Sequence, residues 1–138
     1  MHARSVKPVL LSVDDDRDVL SAVARDFQRH YSQAYRVLRA DSGQGALELL
    51  LELKKRHEPV ALVLSDQRMP GMDGVSLLAQ TRTHHPKSKR ALLTAYADTA
   101  AAISAINDSQ IDYYLMRSRQ LSLARRSLSR CAGSPRVG

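Results

Sequence analysis

Strand-like runs and stretches of helical periodicity alternate along most of this chain, and that alternation limits its fold more than any other feature. Val9 to Val13, VLLSV, follows a proline and precedes three acids, the pattern of a buried parallel strand. Asp16 is placed to cap a helix from Arg17 to about Tyr31, in which Val19, Ala22, Val23, Ala24 and Phe27 share one face. Tyr35 to Ala40 reads as a second strand, and Ser42 to about Lys55 as a second helix with Ala46, Leu49, Leu50 and Leu53 inward, ended by Glu58 and Pro59. Ala61 to Ser65, ALVLS, is apolar on both faces and belongs at the centre of a sheet. The loop DQRMPGMDG then leads to a helix from about Val75 to Thr83 carrying Val75, Leu78 and Ala79. Arg90 to Thr94 is a fourth strand, Asp98 to Asn107 a fourth helix with Ile103 and Ile106 on one side, and Tyr113 to Met116 a fifth strand. Such an order implies right-handed βαβ crossovers and an α/β fold with a parallel sheet covered on both faces.

In doubly wound sheets ligands bind beyond the carboxyl ends of the strands. The polar residues expected there are few: Asp14, Asp15 and Asp16 after the first strand, Asp66 after the third, Thr94 after the fourth and Arg117 after the fifth. With those strands adjacent, Asp14, Asp15 and Asp66 converge, and three carboxylates so close repel unless a cation neutralises them. A few carboxylates completed by water suit Mg2+ better than the crowded cage of Ca2+, and the set lacks the His and Cys that zinc favours. A metal-bound carboxylate beside a hydroxyl and a fixed cation is a geometry for phosphoryl transfer, with one carboxylate as nucleophile.

Composition narrows the alternatives. The 138 residues suit one domain, and the single cysteine, Cys131, leaves no internal disulfide, no CxxC pair and no cysteine-rich zinc site. Aromatics make up 4%, with no Trp, which argues against base stacking on single-stranded nucleic acid. No apolar run is long enough to span a membrane and the N-terminus lacks a signal-peptide core, so a cytoplasmic location is expected. A net charge of +7 points first to an anionic partner. Its position removes that reading: residues 1–116 carry 15 basic and 14 acidic side chains, whereas residues 117–138 carry six Arg and no acid. The body is therefore nearly neutral, and no nucleic-acid partner is expected for it.

The motifs VDDD at Val13 to Asp16, LSDQRMPGMDG at Leu64 to Gly74, LLTAYAD at Leu92 to Asp98 and DYYL at Asp112 to Leu115, in that order, resemble the receiver domain of bacterial two-component response regulators. The resemblance spans roughly residues 7 to 116 and implies a flavodoxin-like doubly wound sheet of five parallel strands, order 2-1-3-4-5, with the last helix left open. It implies that Asp66 takes a phosphoryl group from a sensor histidine kinase or phosphotransfer protein. Asp14 and Asp15 resemble the acidic pair that holds Mg2+ together with Asp66 and the backbone carbonyl of Arg68. Thr94 resembles the switch hydroxyl, with small Ala95 leaving the donor a path, and Tyr114 resembles the aromatic switch that turns inward on activation. The loop residues Pro70, Gly71 and Gly74 resemble those that carry the family's backbone into its third helix. The longer stretches ADSGQGALELL, DQRMPGMDGVSLL and RALLTAYADTAAAISAIN are similar to receivers fused to thioredoxin-reductase-like flavoproteins, whose output lies in a following domain. A homodimer through the face between the fourth helix and fifth strand is the corresponding partner expectation.

The pattern breaks at residue 117. Arg117 and Ser118 stand where the family continues with Lys-Pro, and a forked guanidinium is not a neutral replacement for a compact ammonium. The division is thus a receiver body, 1–116, and an atypical Arg and Ser-rich tail, 117–138, of the kind a frameshifted terminus would give. Leu121, Ala124, Leu128 and Cys131 in that tail share a helical face, so a short last helix remains open. Three other readings compete: a phosphorylation-impaired pseudo-receiver acting as a dimerisation or docking module, a small Mg2+-dependent phosphotransferase using Asp66, and DNA binding by the basic tail. Elsewhere Asp73 reads as a loop acid, Asp98 as a helix cap, and His30, His57, His84 and His85 as solvated residues at helix ends.

Overall fold

The computed structural model describes residues 7–94 and 111–116, with Thr94 and residues 114–116 as main chain. Its elements are β1 (Val9–Val13), α1 (Arg17–Tyr31), β2 (Arg36–Ala40), α2 (Gly43–Lys55), β3 (Val60–Asp66), α3 (Gly74–His84), β4 (Lys89–Thr94) and β5 (Tyr113–Met116). β1 pairs in parallel with β2 on one side and β3 on the other, β3 pairs with β4, and β5 runs along β4. Each parallel pair needs a crossover, and α1, α2 and α3 supply those among β1, β2, β3 and β4. The expected α/β architecture, a parallel sheet with helices on its faces, holds for the order β2-β1-β3-β4.

The central strands are apolar on both faces because both faces are covered. Val9, Leu11 and Val13 of β1, with Val63 of β3, pack with Ala46, Leu50 and Leu53 of α2 and Leu77 and Leu78 of α3. Leu10 of β1 and Leu62 and Leu64 of β3 point the other way, into a cluster with Val23 and Phe27 of α1. The strand period of two thus divides one apolar run between two cores. Each leucine fully removed from water contributes about 1.5–3 kcal/mol.

Several boundaries and faces differ from those read in the sequence. β2 begins at Arg36, one residue after Tyr35, whose ring instead meets Tyr31 edge-on at 6.3 Å. β3 extends one residue at each end and finishes on Asp66 itself. In α1 Leu20 is buried while Val19 and Ala22 are half-buried. In α3 Ala79 is exposed, and Leu77 and Thr81 take the inward positions with Leu78. The buried line is Gly74, Leu77, Leu78 and Thr81, a single helical stripe whose two ends are a glycine and a threonine and so carry no apolar signal. Thr81 tolerates that burial by donating its hydroxyl to the Leu77 carbonyl at 2.9 Å. His85 is likewise not a solvated residue: it is half-buried, and its Nε2 lies 2.8 Å from the Leu50 carbonyl oxygen of α2. His84 is half-buried too, whereas His30 and His57 are exposed.

The expected fourth helix, 98–107, with Ile103, Ile106, the cap at Asp98 and the face offered for pairing two copies, lies outside the described residues. So do Ala95, Arg117 and the whole tail, 117–138.

Candidate functional site

The site is built from the three consecutive acids after β1 and the last residue of β3. Asp14, Asp15 and Asp16 divide three tasks among them. Asp16 caps α1, its carboxylate accepting from the main-chain amides of Asp18 at 3.0 Å and Val19 at 3.4 Å. Asp14 is turned inward, 3 % exposed, and its Oδ1 accepts from the Asp16 amide at 2.9 Å. Asp15 stays exposed.

The parallel register sets Val13 beside Ser65, so the residues that follow, Asp14 and Asp66, emerge side by side at the carboxyl edge of the sheet. Asp66 is also 3 % exposed. One carboxylate oxygen from each of Asp14, Asp15 and Asp66 falls within 4.8 Å of the others, the only such group of three metal-ligating side chains among the described residues. Two of the three are nearly out of water, where an uncompensated carboxylate is expensive. A hard divalent cation fits this donor set: it is all oxygen, open to water on the Asp15 side, and carries the negative charge that Mg2+ would neutralise.

The remaining expected residues are placed as follows. Arg68 is exposed in the loop between β3 and α3. Thr94 ends β4, one residue beyond Leu93, the partner of Asp66 in the sheet register, so its main chain reaches the same edge. Tyr114 lies in β5 opposite Leu92 of β4. The side chains of Thr94 and Tyr114, and all of Arg117, lie outside the described residues.

Two glycines mark the path from β3 into α3. Gly71 takes φ 81°, a left-handed conformation that favours glycine. Gly74 opens α3 so close to the site that a Cβ there would stand 2.3 Å from the Asp66 carbonyl oxygen. Asp73 is not a loop acid but the N-cap of α3, accepting from the Ser76 amide at 2.9 Å. An acid just before the apolar residues Val75, Leu77 and Leu78 is a capping signal that could have been read. Gln67 carried no such signal, yet its side-chain Oε1 accepts from the Val75 amide at 3.0 Å.

Residues 10–123 match the family described as the response regulator receiver domain, a span that runs past residue 117. The hydrogenase transcriptional regulatory protein HoxA of Cupriavidus necator is 32% identical over 108 residues, 78% of this chain and 20% of that protein. The response regulator protein FleR of Pseudomonas aeruginosa is 32% identical over 133 residues, 94% of this chain and 26% of that protein. The chain thus spans about a fifth to a quarter of these curated relatives. Among solved structures, a signal receiver domain of an HD domain-containing protein from Pseudomonas fluorescens superposes with a TM-score of 0.71 at 30% identity, covering 93% of this chain and 98% of that one. A structure titled as adenylate cyclase from Rhodopirellula baltica gives 0.76 at 27% identity, covering 92% of this chain and 88% of that one.

Proposed function

The chain belongs to the response regulator receiver family, and on that premise we propose that it is a phosphorylation switch in which Asp66 accepts a phosphoryl group from a histidine kinase or phosphotransfer protein. The observation that carries this reading is the convergence of Asp14, Asp15 and Asp66 within 4.8 Å, with Asp14 and Asp66 buried. Bound Mg2+, held by Asp14, Asp15, Asp66 and the Arg68 carbonyl, would supply charge neutralisation for the transferring phosphoryl oxygens. A carboxylate oxygen of Asp66 attacks phosphorus while the bond to the donor nitrogen breaks, and the imidazole leaves carrying its proton. No general base is required, because the bound cation would hold the Asp66 nucleophile in its ionised form. Burial of Asp66 at the sheet edge restricts attack to donors that reach the site from the carboxyl face.

Thr94 is the switch hydroxyl in this reading, on the strand next to that of Asp66, and Tyr114 is the aromatic that follows it, one strand further out. Arg117 takes the place of the family's lysine and supplies the cation. New charge at a site of fixed acids is the local event, and the β4–β5 end is the element it biases. The output is proposed to be regulation of transcription through a partner or further domain. Relatives named as transcriptional regulators favour it, HoxA among them. Fusion to a thioredoxin-reductase-like flavoprotein is the other output that the sequence wording suggests.

The test is incubation with Mg2+ and a small acyl-phosphate donor, followed by intact mass. One phosphoryl addition that disappears in Asp66→Asn and falls on chelation of the metal supports the proposal. Tight Mg2+ binding with no labelling favours the docking module instead.

A further inference from the structure

The segment from Gln67 to Asp73 has no regular structure, yet one residue holds both of its ends. The Gln67 amide donates to the Leu93 carbonyl of β4 at 3.1 Å, and its carbonyl accepts from the Gly74 amide at 3.0 Å. Its side-chain Oε1 accepts from the Val75 amide at 3.0 Å, and Nε2 faces Asp73 Oδ2 at 3.5 Å. A main-chain amide can only donate, so Val75 fixes which end of the Gln67 side chain is oxygen and leaves the amino group for Asp73. Asp73 in turn accepts from the Ser76 amide at 2.9 Å. The first amides of a helix have no intrahelical partner. Here Gly74, Val75 and Ser76 all find theirs in Gln67 and Asp73, and the start of α3 is thereby tied to the residue directly after Asp66.

This arrangement matters for the donors of the site. Asp14 is held by the Asp16 amide, and Asp66 lies within the β3–β4 ladder. Arg68 follows Gln67 directly inside the irregular loop, so the anchoring of Gln67 bears on where the Arg68 main chain lies. Leucine would fill a similar volume at position 67 but would satisfy neither Val75 nor Asp73. Glutamate could accept from Val75 but would set a second carboxylate against Asp73.

We infer that Gln67 is a positioning residue for the divalent cation, closing the 67–74 loop so that the Arg68 main chain is presented to the acidic cluster. The inference rests on the proposed role of that cluster. Its test is titration of the unphosphorylated protein with Mg2+ alone, by calorimetry, beside urea unfolding in the absence of metal. Gln67→Leu is expected to raise the Mg2+ dissociation constant about tenfold, the lower end of what outer-shell partners of a metal carry. Labelling at saturating Mg2+ should keep the wild-type half-saturation for acyl phosphate. The double variant Gln67→Glu, Asp73→Asn exchanges donor and acceptor while keeping net charge, and it should bring Mg2+ affinity back towards wild type. A lowered urea midpoint with unchanged Mg2+ affinity would overturn the inference, as would failure of the exchanged pair to restore affinity. If Asp14→Asn with Asp15→Asn leaves wild-type Mg2+ affinity intact, the cation is not held at this cluster, and the proposed site falls together with the role of Gln67.

Discussion

Gly74 rests directly on the Asp66 carbonyl, with no side chain between the start of α3 and the main chain of the central acid. A methyl group there would meet that oxygen at 2.3 Å and the Leu92 side chain at 2.8 Å. Main chain is the obstacle on one side and a buried core residue on the other, so neither can swing away cheaply. Gly74→Ala is therefore expected to destabilise the fold by about 1–3 kcal/mol, the usual cost of overpacking. The urea midpoint checks this, and the fraction of Asp66 labelled by acyl phosphate should fall even where the protein remains folded.

The consecutive acids should separate by function when replaced singly. Asp16→Ala removes the cap of α1 and should cost about 1 kcal/mol of stability while leaving Mg2+ affinity close to wild type. Asp15→Ala should do the reverse, weakening Mg2+ binding with little effect on the metal-free urea midpoint, because Asp15 is exposed. Equal behaviour of the two variants in both measurements would contradict this division of roles.

Metal should act on stability through the buried pair. At a free concentration of 100 times its dissociation constant, Mg2+ is expected to stabilise the wild type by about 2.7 kcal/mol. In Asp66→Asn the metal-free protein should be more stable than wild type, since one of two adjacent buried carboxylates is gone, and the increment from Mg2+ should shrink. Thermal unfolding of both proteins with metal and with chelator measures both effects.

His85 joins α3 to α2 through the Leu50 carbonyl. Replacing it with Ala should cost about 1 kcal/mol, the net worth of a hydrogen bond in a half-buried setting. The unfolding midpoint should fall without any change in phosphoryl labelling, because the contact lies away from the acidic cluster. Loss of labelling in a folded His85→Ala protein would show instead that the α2–α3 contact reaches the site.

What the sequence disclosed and what it hid follow from the range of the forces involved. Runs such as Val9–Val13 and Ala61–Ser65 are legible because a strand buried on both faces favours apolar side chains on both, with only a buried Ser12 or Ser65 between them. Asp14, Asp15 and Asp66 are legible because acids at successive strand ends converge in any parallel sheet that makes those strands neighbours. The inward face of α3 was misread at Ala79 because the buried line Gly74, Leu77, Leu78 and Thr81 begins and ends on residues with no apolar signal, whereas Val75, Leu78 and Ala79 offer an apolar line one position away. Gln67 was invisible for another reason. Its partners Asp73 and Val75 lie six and eight residues away across an irregular loop, and no periodicity marks such a contact.

The pairing of β1 with both β2 and β3 also bears on how the molecule is made. All three acids of the cluster lie at the carboxyl ends of β1 and β3, so ribosomal synthesis delivers them before β4 exists. The nascent chain can bring Asp14 to Asp66 as soon as β1 meets β3, and the mutual repulsion of the carboxylates arises at that moment. A divalent cation bound by the proposed cluster would favour docking of those strands at that stage, and so would act in assembly as well as in the finished fold.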